Sequence, residues 1–152
     1  MCGIAGFINA EPIGCDLALL KRMTDAIQYR GPDDSGFYRD EWAALGHRRL
    51  SIIDLSGGHQ PMSNETGSMW IIYNGEIFNH ASLRPELERN AHRYRSHCDT
   101  ETILHSYEEY GPDVEILEDI QDSRRIGWIR AVVEAQRERL GAGVTGLLEV
   151  IA

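Results

Sequence analysis

The chain has 152 residues, 42% hydrophobic and 26% charged, with a formal net charge of −9. Its length and balance fit one ordinary globular domain with room for a real core. The acidic balance argues against nucleic acid as a general partner, since phosphate contact wants a basic surface, and no run of about 18 apolar residues offers a membrane-spanning helix.

In chain order, residues 3–9 (GIAGFIN) read as a short buried strand rich in small residues. They do not resemble a signal peptide. A basic leader is missing, and Glu11, Pro12 and Asp16 interrupt any apolar core, so a cytoplasmic location is expected. Residues 16–30 carry Leu17, Leu20, Met23 and Ile27 at helical spacing, with Asp16 placed to cap the start. GPDDSG (31–36) has loop composition, and Pro32 opposes helix continuation. Residues 42–55 suggest a pair of strands around polar interruptions, and 56–68 are turn-rich. MWIIY (69–73) is a strong strand candidate, and Asn74-Gly75 is a hairpin signal leading into EIFN (76–79). A short helix is expected over 81–89, with Pro85 awkward unless it sits in the first turn. A second is expected over 99–111, capped by Asp99 or Thr100 and ended by Gly111. From about residue 113 the sequence becomes charged and helix-prone, closing on a short apolar tail, VTGLLEVIA. Separate short strands and helices point to an α+β fold.

Several residues carry chemistry. Cys2 follows the initiator Met1. If Met1 leaves, one residue holds both a thiol and an α-amine, and an α-amine has a pKa of about 7.7–8.0, so part of it is neutral near pH 7 and can take the thiol proton. Cys2 is otherwise a small buried hydrophobe at a strand start. Asn74 and Gly75 are either a plain turn or a pair of oxyanion donors. Arg48 and Arg49 are either solvated or, through strand alternation, one of them faces inward and wants a carboxylate. Asp99 is a helix cap or a receiver for a substrate ammonium. Three cysteines (Cys2, Cys15 and Cys98) do not suggest a disulfide framework. HRYRSHC (92–98) lacks a partner pair at zinc-finger spacing, so no structural metal site is expected.

MCGIAGF at the start, RGPDDSG near 30, HRRLSIIDLSGGHQPM near 50, YNGEIFNH at 73–80 and CDTETI near 100 occur in order. Together they resemble the glutaminase domain of class II glutamine amidotransferases, on the glutamine-hydrolysing asparagine synthetase branch. The resemblance covers residues 2–113. It implies an N-terminal nucleophile (Ntn) hydrolase fold, a four-layer αββα sandwich of antiparallel sheets, here incomplete. It also implies the site: Cys2 as nucleophile, and Asn74 and Gly75 as oxyanion donors. Arg49 would hold the substrate α-carboxylate and Asp99 its α-ammonium, with Glu76, Leu50 and Ile52 lining the pocket. The implied reaction is hydrolysis of L-glutamine to glutamate and ammonia without a cofactor, ATP and magnesium belonging to a synthetase domain not found in this sequence. A separate synthetase or ammonia-accepting subunit and a homodimer are the implied partners. The resemblance stops at residue 113, where the family continues into a Gly-Met-Phe-Ala-Phe-like strand. Residues 114–152 are then expected to be a divergent helical tail, covering an otherwise open sheet face, or unrelated sequence. The alternative to an enzyme is an inactive remnant or a glutamine-binding module without turnover.

Overall fold

The computed structural model describes residues 2–51 and 57–111, together with the backbone of residues 147–149. In chain order the elements are β1 (Gly3–Ile8), α1 (Leu17–Ala26), a single 3-10 turn (Gln28–Arg30), β2 (Asp34–Arg39), β3 (Ala43–Arg49), β4 (Met62–Ser63), β5 (Trp70–Ile72), α2 (His80–Arg89), α3 (Thr100–Tyr110) and β6 (Leu147–Glu149). The fold is α+β, as the sequence suggests.

Two small sheets form among the described residues. The first has the order β1-β3-β2, all antiparallel. The second has the order β4-β5-β6, antiparallel between β4 and β5 but parallel between β5 and β6. This second sheet is therefore mixed, against the expectation of antiparallel sheets only.

Alternation along the first sheet assigns its two faces. Ala44 packs with Leu20 of α1, and Phe7 and Phe37 join the same cluster. Arg48 pairs with Asp25 of α1, and its Nε donates to the Thr24 carbonyl at 3.3 Å. Those residues face α1. Leu45, His47 and Arg49 accordingly face the other way. So do Asp34, Gly36 and Tyr38, which the register sets opposite Arg49, His47 and Leu45. On that inner side Tyr38 stacks on Trp70 of β5 with ring centroids 4.4 Å apart. The neighbouring β5 residue, Ile71, packs with Ile103 and Leu104 of α3.

Two of the helices, α1 and α3, have a local reason to start where they do. The Asp16 carboxylate accepts from the Ala18 and Leu19 amides at 2.8 and 3.2 Å, capping α1. Asp99 caps α3 through the Thr100 amide at 2.9 Å, and Gly111 closes it with φ of 71°. The helix α2 runs through Pro85, its sixth residue, instead of placing it in the first turn. Proline there removes the amide that would bond back toward Ala81.

Three expectations change. The 31–36 segment is a loop only as far as Asp33, because β2 begins at Asp34. Its Phe37 and Tyr38 pack on opposite faces, a burial that loop composition hides. Of the strand pair expected over 42–55, the first is β3, ending at Arg49, and the second falls on residues 52–56, outside the described set. Within the turn-rich 56–68 stretch, Met62 and Ser63 pair with Ile71 and Trp70. The Asn74-Gly75 hairpin does not form: neither residue has a positive φ, which its turn type needs, and α2 follows from His80 in place of a partner strand. The helix expected in the tail falls on residues outside the described set, except at Leu147–Glu149, which form the strand β6 instead. Among those described, no helix is long and apolar enough to cross a membrane.

Candidate functional site

Cys2 stands one residue before β1. Gly3 pairs with Arg48 and Ile4 with His47, so the register extended by one position sets Cys2 opposite Arg49. Alternation also places Cys2 on the inner face with Arg49, away from α1. The Leu50 amide donates to the Cys2 sulfur at 3.4 Å, and the thiol faces the Leu50 carbonyl at 3.8 Å. Arg30 Nε donates to the Cys2 carbonyl at 3.1 Å, fixing its main chain.

Arg49 is 6% exposed. A guanidinium so far inside requires a carboxylate or comparable acceptor. Asp34 is its register partner, and the positive charge of Arg49 is one of the influences on the Asp34 carboxyl. Burial there raises the Asp34 pKa, but the His59 hydrogen bond at 2.6 Å, the Ser35 amide and the electrostatic influence of His59 and Arg49 outweigh it, and the net shift is downward. Neither arginine is simply solvated: Arg48 braces α1, and Arg49 is the inward one.

The RGPDD loop is tied to the same strand end. Asp33 N donates to the Arg49 carbonyl at 3.1 Å, and Ser51 N to Asp33 Oδ2 at 2.8 Å. Gly31 lies so close to the Arg48 and Arg49 backbone that any Cβ would collide with it. This contact accounts for glycine in that motif.

A second group gathers at the end of β5. Asp99, also 6% exposed, accepts from the Ile77 amide at 2.9 Å with its second oxygen. That bond holds the Asn74-Gly75-Glu76 segment against the start of α3. Asn74 is half-buried, while Gly75 and Glu76 are exposed. A Cβ on Gly75 would strike the Tyr73 phenol. Ile52 lies outside the described residues.

Two residues beyond the expected set shape the site. Gln60 accepts from the Tyr73 amide at 2.6 Å and donates to Thr100 Oγ1 at 3.3 Å, bridging the end of β5 to the cap of α3. Its signal was the GHQPM stretch, which carries it. His47 is fully buried on the inner face, and burial pulls its pKa down to about 4, the Tyr73 backbone and Asp34 opposing and Arg49 and His59 assisting. It is a neutral imidazole between the two groups, and its place beside Arg49 in β3 was the available sign.

The three thiols are all free. An open concavity lined by Ile13, Cys15, Asp16, Arg39 and Glu41 lies at the opposite end of β2 from Asp34, and contains none of the expected site residues.

With this geometry in place, comparison with known proteins fixes the class. The profile of the glutamine amidotransferase domain matches residues 1–122, and the chain belongs to that family. Within it, the relatives are asparagine synthetases. Asparagine synthetase [glutamine-hydrolyzing] 1 of Bacillus subtilis is 43% identical over 113 residues, covering 72% of this chain and 18% of its own. Asparagine synthetase [glutamine-hydrolyzing] 3 of the same organism is 38% identical over 145 residues, covering 93% of this chain and 24% of its own. The first Arabidopsis thaliana enzyme of that name is 40% identical over 122 residues, 79% of this chain and 20% of its own. The chain thus spans less than a quarter of the length of these relatives. It is a glutamine amidotransferase domain of asparagine synthetase type.

Proposed function

We propose that this domain hydrolyses L-glutamine to glutamate and ammonia through Cys2, as the ammonia-supplying half of asparagine synthesis. Removal of Met1 frees the Cys2 amine. That amine takes the thiol proton as sulfur attacks the side-chain amide carbon. Asn74 Nδ2 and the Gly75 amide stabilise the tetrahedral oxyanion. The amine returns its proton to the leaving nitrogen, ammonia departs, and a thioester remains. Water then attacks the thioester, releasing glutamate and restoring the thiol. Arg49 binds the substrate α-carboxylate, and Asp99 its α-ammonium. The Asp99 carboxylate already accepts two amide bonds, yet two oxygens offer about four acceptor positions. Glu76, Leu50 and Ile52 line the pocket.

One observation carries this reading: the register, carried one residue past β1, sets Cys2 opposite the buried Arg49 on the inner face of the sheet. Recognising both charges of a free amino acid excludes most other amides. The half-reaction needs no metal or organic cofactor in this scheme. The four-layer αββα order is part of the same proposal, supported by α1 on the first sheet, Tyr38 against Trp70, and Ile71 against α3. Synthesis of asparagine, with ATP and magnesium, belongs to the greater length of the relatives. The ammonia released would pass to a synthetase or ammonia-accepting partner. A cytoplasmic setting and a homodimer complete the proposal, and residues 114–152 form a tail to the 2–113 domain.

The test is a glutaminase assay on the full chain with intact-mass analysis. Ammonia and glutamate are expected in equal amounts, from protein lacking Met1, and lost in Cys2→Ala. Turnover by protein that fully retains Met1, or by Cys2→Ala, would overturn the mechanism. Glutamine binding without turnover would replace it with a binding module.

A further inference from the structure

A second constellation stands apart from Cys2. Glu65 follows β4, His92 follows α2, and His105 and Glu108 lie one turn apart on α3. One donor atom from each comes within 4.8 Å of all the others. His92 Nδ1 is 3.8 Å from a Glu65 oxygen and 3.8 Å from Glu108 Oε2, and His105 Nδ1 is 3.6 Å from the other Glu65 oxygen. These gaps are too long for good hydrogen bonds. They are near the ~3.3 Å edge of a tetrahedron whose donors sit about 2.0–2.1 Å from a metal.

Two further features point to an ion. The His105 side chain is 1% exposed with neither ring nitrogen hydrogen-bonded, and Glu108 Oε2 is buried without a partner. Polar atoms withdrawn from water and left unpaired carry a desolvation cost that a central cation removes. The outward ring nitrogens also face carboxylates. His92 Nε2 is 3.1 Å from Glu109 Oε2, whose other oxygen accepts from Asn90 at 2.9 Å. His105 Nε2 is 3.6 Å from Glu101 Oε1. Presenting Nδ1 inward with Nε2 toward a carboxylate is how metal-bound histidines are oriented and made more basic.

We propose that Glu65, His92, His105 and Glu108 form a structural binding site for a divalent transition metal of the zinc class. Two imidazoles and two carboxylates suit zinc better than magnesium or calcium, which prefer oxygen alone. Four protein donors close the tetrahedron, leaving no position for substrate. The two carboxylates balance the charge of the ion. The metal ties the segments after β4 and α2 to α3, bracing the helix that Asp99 caps. Zinc-finger spacing does not reveal the site, because the ligands come from three separate elements. The proposal is independent of the amidase reading.

The test uses the full chain with Cys2→Ala, so that the terminal thiol does not compete. Chelator-treated protein is titrated with zinc(II) and cobalt(II). One equivalent of zinc should bind and raise the thermal midpoint, and cobalt should give the intense visible bands of a tetrahedral nitrogen and oxygen site without thiolate charge transfer. His92→Ala and Glu108→Gln, both at partly exposed positions, should abolish the zinc-dependent rise. Glu109→Gln should weaken zinc binding about 10–100-fold. Absence of stoichiometric uptake, an octahedral cobalt spectrum, or binding undiminished in His92→Ala and Glu108→Gln would overturn the site and leave a metal-free cluster of ion pairs.

Discussion

His47 lies in β3 beside Arg49 with 1% of its surface exposed. Burial lowers its pKa from 6.5 to about 4, with the nearby Arg49 and His59 charges adding to the effect and the Tyr73 backbone and Asp34 working against it. The folded state therefore keeps His47 neutral while the unfolded chain takes up a proton below pH 6.5. Stability is full above that value and falls as pH drops from about 6.5 to about 4, by a total on the order of 3 kcal/mol. Urea unfolding across this window should show the fall in the native chain and a flatter profile in His47→Gln. Glu101 acts in a lower window. Burial opposes its ionisation, but the nearby His105 imidazole, 3.6 Å away, and bonds from Ser96 and the Arg95 amide outweigh that and bring its pKa from 4.5 to about 2. Its contribution is thus lost below about pH 4.5, separately from that of His47. Gly75 is limited by shape. Its missing side chain leaves room for the Tyr73 phenol, and Tyr73 is itself 4% exposed and has little space to yield. Gly75→Ala should destabilise by about 1–3 kcal/mol, as overpacking does. It should also reduce glutamine turnover by moving Asn74, measured as kcat beside the urea midpoint.

At the scale of elements, Gln60 joins pieces that have no shared secondary structure. Its carbonyl oxygen takes the Tyr73 amide just after β5, and its amide reaches Thr100 at the start of α3. Gln60→Ala leaves a buried N–H unpaired and should cost about 1–3 kcal/mol. The same change should speed hydrogen exchange at the Tyr73 amide, a local effect that a general loss of packing would not single out. This bridge illustrates what was legible in the sequence. Asp16, Asp99 and Gly111 act on their own neighbours, so the ends of α1 and α3 could be read from residue type. The β1 and β5 segments are apolar enough to declare themselves. By contrast, β2 was hidden behind loop residues, because Gly36 and Ser35 are tolerated only through pairing with distant His47 and Arg48. Asn74-Gly75 promised a hairpin on local grounds, and the bond from Ile77 to Asp99 draws that segment toward α3 instead. The candidate residues Cys2, Arg49 and Asp99 were legible as types, whereas their shared dependence on Leu50, Gln60 and Ile77 arises from long-range contacts.

For the whole molecule, the question is how a short chain keeps its second sheet intact. The sequence suggests an open sheet face that residues 114–152 would cover. In the structure β6 takes one edge of β5, running parallel to it with Ile71 opposite Leu148. On the other side β4 contributes only two residues, Met62 and Ser63. The sheet would therefore be a two-residue antiparallel pairing without β6. The uncovered β5 edge, Trp-Ile-Ile, carries no charge or proline to discourage another chain from adding a strand. Deleting residues 147–152 should leave the first sheet and α1 largely unaffected, because the strand pairing and the α1 packing come from β1, β2 and β3. It should instead expose backbone donors and acceptors along β5 beside apolar side chains. The expected outcome is concentration-dependent association, seen as light scattering at protein concentrations where the full chain stays monodisperse, with faster amide exchange at Ile71 and Ile72. A deletion that scatters no more than the full chain, with those amides equally protected, would show that β5 is held by β4 and α3 alone.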